Sequence, residues 1–194
     1  MQRKKQPITL FNRSTLQSFL KPGIMKNFIL GFLFLAGSIS CLSQSFTPVD
    51  QGSKVHFVIN NLGIPTGGDF TGLAGTIKFD PKNLAASEFD VSVDAATVDT
   101  DIAARDKHLR KSEFFDVKKF PRLSFKSTKI TTSNNKDFLY VFGKLTIKGV
   151  TKDVKFPFKA TQKNGGWLFE GNFKINRKDF GVGGKSLSLS DDVS

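Results

Sequence analysis

Arg105 to Pro121 reads RDKHLRKSEFFDVKKFP, and in the folded part of this 194-residue chain it is the one stretch that reads as helical. On both sides apolar and polar residues alternate in short runs, the period of strands with one buried face. The stretch itself suits a helix. Ile102, Asp106 and Leu109 share a face at helical spacing, with Arg105 and His108 at its margin. Thr100 or Asp99 is placed to cap its start, Asp101 suits the positive end of the helix dipole, and Ser112 is placed to cap a second short turn carrying Phe114 and Phe115. The expectation is a helical lid set into a β-barrel, charged from Arg105 to Lys111 and apolar through Leu109, Phe114, Phe115 and Phe120.

Upstream, Val55, Phe57 and Ile59 alternate with His56, Val58 and Asn60. Gly63, Pro65, Gly67 and Gly68 then break the pattern. A second strand over 69–80 carries Phe70, Leu73, Ile77 and Phe79, with Gly72 and Gly75 marking a bend. Glu88 to Ala95 alternates most cleanly: Phe89, Val91 and Val93 oppose Glu88, Asp90, Ser92 and Asp94. Three acids on one face of a strand cannot be core, so the sheet is wet outside and apolar inside.

Downstream, Leu123 and Phe125 resume the alternation, followed by Leu139, Val141, Leu145 and Ile147, and then by Val154, Phe156 and Phe158. Asn164-Gly165-Gly166 signals a hairpin. Trp167, Phe169, Phe173 and Ile175 fill the next strand, and Leu187 and Leu189 begin a last one. About eight strands joined mainly by hairpins, with one short helical insert, predict an all-β sandwich or barrel, and eight strands joined up-and-down would close an eight-stranded antiparallel barrel wide enough for one small ligand.

The first residues belong to something else. Residues 1–24 are polar and basic without an acid, and read as an upstream extension. At Met25 a short basic start, the apolar run Phe28–Leu35 and the small residues Ala36, Gly37 and Ser38 describe a secretory signal peptide over 25–44, cut near Ser43 or Gln44. The apolar run is too short to span a bilayer, which takes ~20 residues. Cys41 raises the rival of a lipoprotein anchor, although Ser38 stands where Leu is usual. The domain over 45–194 is then periplasmic or secreted, and without Cys41 it has no thiol. Its 23 basic and 17 acidic residues leave a net charge of +6. The lysines are scattered along strands, which fits a solvated exterior and no nucleic-acid partner.

Catalytic residues are scarce. His56 and His108 are the only histidines, no metal-ligand cluster or nucleophile elbow occurs, and Gly181-Val182-Gly183-Gly184 lacks the strand–helix setting of a phosphate cradle. No enzyme activity and no cofactor are expected. Of the 21 phenylalanines, 16 lie beyond the leader, and a barrel lined with them is either a packed core or an apolar pocket. The inward set that would line a pocket is Phe57, Ile59, Phe70, Ile77, Phe79, Val91, Val93, Leu109, Phe114, Phe115, Phe125, Val141, Leu145, Phe156, Phe158, Phe173 and Ile175. Arg105 and His108 are the candidates on the lid for a ligand's polar head.

At Arg105-Asp106-x-His108-Leu109-Arg110-x-x-x-Phe114-Phe115-Asp116-Val117-x-x-Phe120-Pro121 the chain resembles the YceI-like family of bacterial periplasmic proteins. Further agreement runs through Ser53-x-Val55-x-Phe57, Gly75-Thr76-Ile77-x-Phe79-Asp80, Phe125–Thr128, Gly143–Lys152 and Asn176-Arg177-x-Asp179-Phe180-Gly181-Val182-Gly183. The resemblance implies an extended lipocalin-like barrel with an apolar cavity for a polyisoprenoid or fatty-acid-type amphiphile, and no enzyme activity. Two departures stand out. Asn61, the third head-group candidate, occupies a place where many members have His, which weakens the head-group role the resemblance implies there, and the chain ends at Asp191–Ser194 where members continue through a full last strand, which leaves closure by that strand open. The alternative is a structural or interaction protein of the envelope, with a solid core and a partner on its Lys-rich face.

Overall fold

The computed structural model describes residues 45–184, 186 and 188–194. The expected extension, the expected signal peptide, Cys41 and Leu187 lie outside the described residues. The strands are β1 (Ser45–Phe46), β2 (Val55–Asn61), β3 (Ile64–Phe70), β4 (Ala74–Lys78), β5 (Glu88–Asp94), β6 (Arg122–Thr132), β7 (Leu139–Ile147), β8 (Val150–Lys163), β9 (Gly166–Gly171), β10 (Ile175–Asn176) and β11 (Leu189–Val193). One α-helix, α1 (Ala103–Leu109), sits between β5 and β6. All pairings are antiparallel, in the orders β1-β4-β5-β6-β7-β8-β9 and β10-β11-β2-β3.

Two strands pass from one sheet to the other. β3 lies on β2; after the break at 71–73 the chain continues as β4 on β5. The Asp94 N–H donates to Thr71 O at 3.0 Å, so the ladder carries on across the break. In the same way 172–174 separates β9, on β8, from β10, on β11. With each pair of legs taken as one strand, the eight expected strands are present, plus the two-residue β1, in a nearly closed barrel.

The break at 71–73 is built by side chains. Asp50 accepts from the N–H groups of Gly72 (3.1 Å) and Leu73 (2.7 Å), and Arg122 donates to Gly72 O at 2.8 Å. The backbone groups freed by the bend are thereby paired. Gly75 beyond it has φ +131°, and a Cβ there would lie 2.1 Å from Asp90 O, so only glycine fits.

The stretch Ile64–Gly68, expected as a break, is instead the first leg of this strand and pairs with β2 residue for residue. The reason lies across the ladder. A Cβ on Gly67 would sit 2.8 Å from the His56 ring, and one on Gly68 2.6 Å from the Phe57 ring. The glycines are where neighbouring rings lie down on the strand. Pro65 is tolerated because β3 is the edge of its sheet.

β11 pairs on both flanks, Val193 with Ile175 and with Ile59, and Ser194 and Val58 exchange backbone hydrogen bonds of 2.6 and 3.0 Å. The last residues therefore sit between β10 and β2.

The expected short helix is present, and it starts later than its cap candidates suggest. It covers only Ala103–Leu109, and 110–120 is a chain of turns closed by Phe114 N–H to Lys111 O, Phe115 N–H to Leu109 O and Phe120 N–H to Asp116 O. Asp116 adopts φ 49°, which stops a helix from running on to Pro121. Neither Thr100 nor Asp99 caps α1; its N-cap is Ile102, which is exposed and not part of a buried face. Asp99 accepts from Asp101 N–H, and the Thr100 hydroxyl donates to buried Asp106, whose carboxylate also takes the Thr100 N–H at 2.9 Å. Ser112 makes no capping bond among the described residues.

The core is divided. Phe79, Phe89, Ile130, Val141 and Phe158 form one cluster, joined edge-on by Trp167 and Phe169. Phe114, Ile147, Phe180 and Val182 form a second; Phe70, Val93 and Val98 form a third. Leu109, Phe115 and Leu123 touch both of the latter, so the lid stretch is pinned between two clusters.

Candidate functional site

The registers place the expected lining residues on one side of the sheets. Phe125 lies opposite Val91 on β5 and Leu145 on β7; Phe156 lies opposite Val141; Ile59 lies opposite Val193, which in turn faces Ile175. They differ in depth, which alternation alone does not reveal. Phe79, Val141 and Phe158 are 2%, 0% and 2% exposed and belong to packed core. Phe70, Val93 and Phe114 are also buried. Phe57, Ile59, Ile77, Val91, Leu109, Phe115, Phe125, Leu145, Phe156, Phe173 and Ile175 are only half-buried.

Three of these half-buried rings form a file. Phe125 is 5.4 Å from Phe156, and Phe156 stacks on Phe173 at 4.2 Å with the planes 9° apart. Gly143 is what lets Phe125 turn inward, since a Cβ there would lie 2.6 Å from its ring. A curved sheet with aromatic faces left half-open on its inner side can take up an extended apolar chain by contact alone.

The three candidates for a polar head are not brought together. Asn61 ends the inward file Phe57, Ile59, Asn61 of β2, and its Oδ1 is buried with no hydrogen-bond partner among the described residues. His108 is exposed, 3.9 Å from Glu113 through Nε2, with its ring edge-on to Phe114 at 4.9 Å. Arg105 donates to the hydroxyl (2.7 Å) and the carbonyl of Thr100 and lines an outer groove of about 360 Å³. Pro65–Asp69, Asp99, Thr100, Asp101 and His56 complete that groove, where His56 Nδ1 is 2.7 Å from Asp69 Oδ1. A second outer concavity, about 290 Å³, lies over Gly75, Thr76, Lys78, Glu88 and Asp90. The first is lined mainly by polar groups, and the second by polar and apolar surface in similar measure. Among the described residues no group of three or more His, Cys, Asp or Glu is placed to hold a metal.

One residue of consequence was not singled out from sequence. Arg177, 3% exposed, donates to the carbonyls of Ser190, Val182, Gly184 and Leu189 and lies 3.6 Å from Asp191. It ties the 181–184 loop to β11. Its only signal was its place in a motif, since an Arg next to a glycine-rich loop usually marks a solvated turn. On the outside, Lys126 bridges Asp90 (3.0 Å) and Glu88 (3.5 Å) across β5 and β6. The hydrogen bond to Asp90, then its charge and that of Glu88, raise the Lys126 pKa above its ordinary 10.5.

The model of the YceI-like domain matches residues 46–194. A UPF0312 protein of Yersinia enterocolitica is 38% identical over 157 residues, covering 77% of this chain and 81% of its own length. Among solved structures, BcnA of Burkholderia cenocepacia is similar with a TM-score of 0.71 and 29% identity, over 75% of this chain and 93% of that one. The Campylobacter jejuni YceI protein follows at 0.57 and 32%, over 64% and 77%. A domain of Saccharophagus degradans described as polyisoprenoid-binding shares the fold at 0.59 and 13% identity, over 77% and 92%.

Proposed function

The chain belongs to the YceI-like family, and on that premise we propose that it is an exported, non-enzymatic binding protein that holds a polyisoprenoid or fatty-acid-type amphiphile against the inner face of its barrel. The observation that carries this reading is the half-buried state of inward Phe57, Phe125, Phe156 and Phe173, where Phe125 and Phe156 share their strands with closed-off Ile130 and Phe158. A core that only had to be stable would bury those rings. Each CH₂ that a guest withdraws from water against them contributes roughly 0.8 kcal/mol before the costs of association. The lid reading is supported by Phe114, which belongs to one cluster beneath this stretch, and Phe115, which packs against two. The fold is shared with a domain described as polyisoprenoid-binding, a likeness of scaffold only. Export rests on the reading of residues 25–44 as a signal peptide, with the periplasm or the medium as destination and a Cys41 anchor as its variant.

The test is extraction. The protein is purified from a bacterial host without detergent, extracted with organic solvent, and the extract is analysed by mass spectrometry. A near-stoichiometric chain lipid is the expected result. Repeated preparations that carry none, and that cannot be loaded with polyprenols or fatty acids, refute the proposal. A protein partner lost on changing Lys107, Lys111, Lys118 and Lys119 would then favour a solid barrel acting through its outer face.

A further inference from the structure

We propose that the tip of the β2–β3 hairpin, Leu62 to Ile64, with the basic lid stretch beside it, is a contact surface for an anionic lipid bilayer. The proposal concerns the outside of one barrel end. It goes beyond the chain-binding reading and does not depend on it.

Leu62 and Gly63 are the two central residues of the turn between β2 and β3, with φ 51° and 80°. A turn with both central residues left-handed favours Asn or Gly, and a leucine there is strained. The leucine gains little packing in return. It is 79% exposed, and Ile64 is 67% exposed. A Cβ on Gly63 would meet nothing within 4 Å among the described residues, so the tip stands clear of them. From Asn60 to Thr66 the hairpin carries no charged side chain. It can therefore enter a head-group layer without desolvating an ion. Single exposed apolar residues are ordinary, but two on one strained and uncharged tip call for a partner.

The tip belongs to the lid end. The Leu62 N–H donates to Ser188 O at 2.7 Å, and the next residue, Leu189, packs against the Phe114 cluster under the lid stretch. On its other side, Pro65–Gly67 share the outer groove with Asp99–Asp101 and Arg105, and exposed Ile102 follows directly on that wall. Charge favours an anionic partner here. Residues 105–121 hold six Lys or Arg against three acids, a net +3, which is half of the +6 carried by residues 45–194. An apolar point with cations behind it suits a bilayer, where the point reaches the acyl boundary and the cations stay among the phosphates. A protein partner fits less well. Two aliphatic side chains fall far short of the roughly 800 Å² per side of a specific protein interface. A convex tip would also need a matching pocket, whereas a fluid bilayer needs none.

The test uses the protein as a bacterial host processes it, floated with vesicles of phosphatidylcholine and phosphatidylglycerol and no guest lipid. The parent should float with the vesicles at low salt and less so at high salt. Leu62→Asn combined with Ile64→Thr should lower the partition coefficient about fivefold or more. Asn suits the left-handed turn, so this variant is expected to melt no lower than the parent, which separates a lost contact from a lost fold. With a nitroxide-bearing lipid in the bilayer, the amide signals of residues 62–64 should broaden more than those of the Asn164–Gly165 turn at the opposite end of the barrel. A parent that does not float, a variant that partitions like the parent, or broadening centred on 164–165 overturns the proposal. So does a tip-dependent association found only with vesicles that carry envelope proteins, which would make the partner a protein. None of these outcomes touches the chain-binding reading, because no guest is present.

Discussion

Phe156 and Phe158 are the same residue type, two positions apart on β8, and both face inward, yet one is half-buried and the other 2% exposed. Changing each to alanine in lipid-free protein separates a lining from a core. Phe158 touches Phe79 and Phe89 in the packed cluster, with ring centroids at 6.4 and 5.4 Å. Its loss leaves a cavity that tight neighbours cannot fill, so Phe158→Ala should cost about 3–5 kcal/mol. Phe156 has Phe173 stacked on it at 4.2 Å, but part of its surface already meets solvent. Its transfer contribution is a fraction of the roughly 1.5–3 kcal/mol of a fully buried side chain. With about 0.5–1.5 kcal/mol for the aromatic pair, Phe156→Ala should cost about 1–2 kcal/mol. Urea unfolding followed by circular dichroism measures both, with a common slope as the check on two-state behaviour. Equal losses of about 3 kcal/mol or more would mean that both rings sit in solid core, and the argument for an open inner face would fall.

Phe115→Asp places a charge between the two clusters under the lid; in protein that still folds, a preloaded chain ligand should dissociate at least tenfold faster, as read by transfer to lipid vesicles. Gly68→Val would push a Cβ to 2.6 Å from Phe57 and 2.7 Å from Thr100, and is expected to lower stability by about 1–3 kcal/mol in thermal unfolding. Arg177→Met leaves the carbonyls of Val182, Ser190 and Leu189 without their donor and Asp191 without one of its cations, so a loss of about 3 kcal/mol or more is expected in the same assay. Lys126 has a pKa raised in the folded state by Asp90 and Glu88, so its contribution is fully present below 10.5 and is lost as pH rises through the folded value. Lys126→Met should therefore leave the pH dependence of stability unchanged between about pH 5 and 9 and flatten it only on the alkaline side, a difference that melts across roughly pH 9–11 would expose.

Much of the fold was legible because alternation reports directly on which face is buried. Phe89, Val91 and Val93 opposite Glu88, Asp90 and Asp94 could hardly be read otherwise, and β5 is where that reading places it. Gly72 was legible as a bend, and there the strand changes sheets. What single-strand patterns do not contain is what lies on the next strand. Gly67 and Gly68 look like breakers until His56 and Phe57 are laid over them. The lid was legible as a short helix with a further turn through Phe114 and Phe115, but its caps and limits were not, because the left-handed Asp116 and the bonds of Thr100 to Asp106 depend on the folded loop. The candidate site was legible as a face and not as a depth. Phe125, Phe156 and Phe158 obey the same alternation. The packing of Phe79 and Phe89, with Phe169 beside them, closes over Phe158, while Phe125 and Phe156 pack against the margin of that cluster and stay half-buried.

The most direct test of the account is where a bound chain lies. With the protein uniformly labelled and loaded with an unlabelled polyprenol, isotope-filtered nuclear Overhauser spectra should show contacts from the chain to the ring protons of Phe125, Phe156 and Phe173. Contacts confined to the groove of His56, Asp69 and Arg105, or none to those three rings in a protein saturated with ligand, would contradict it.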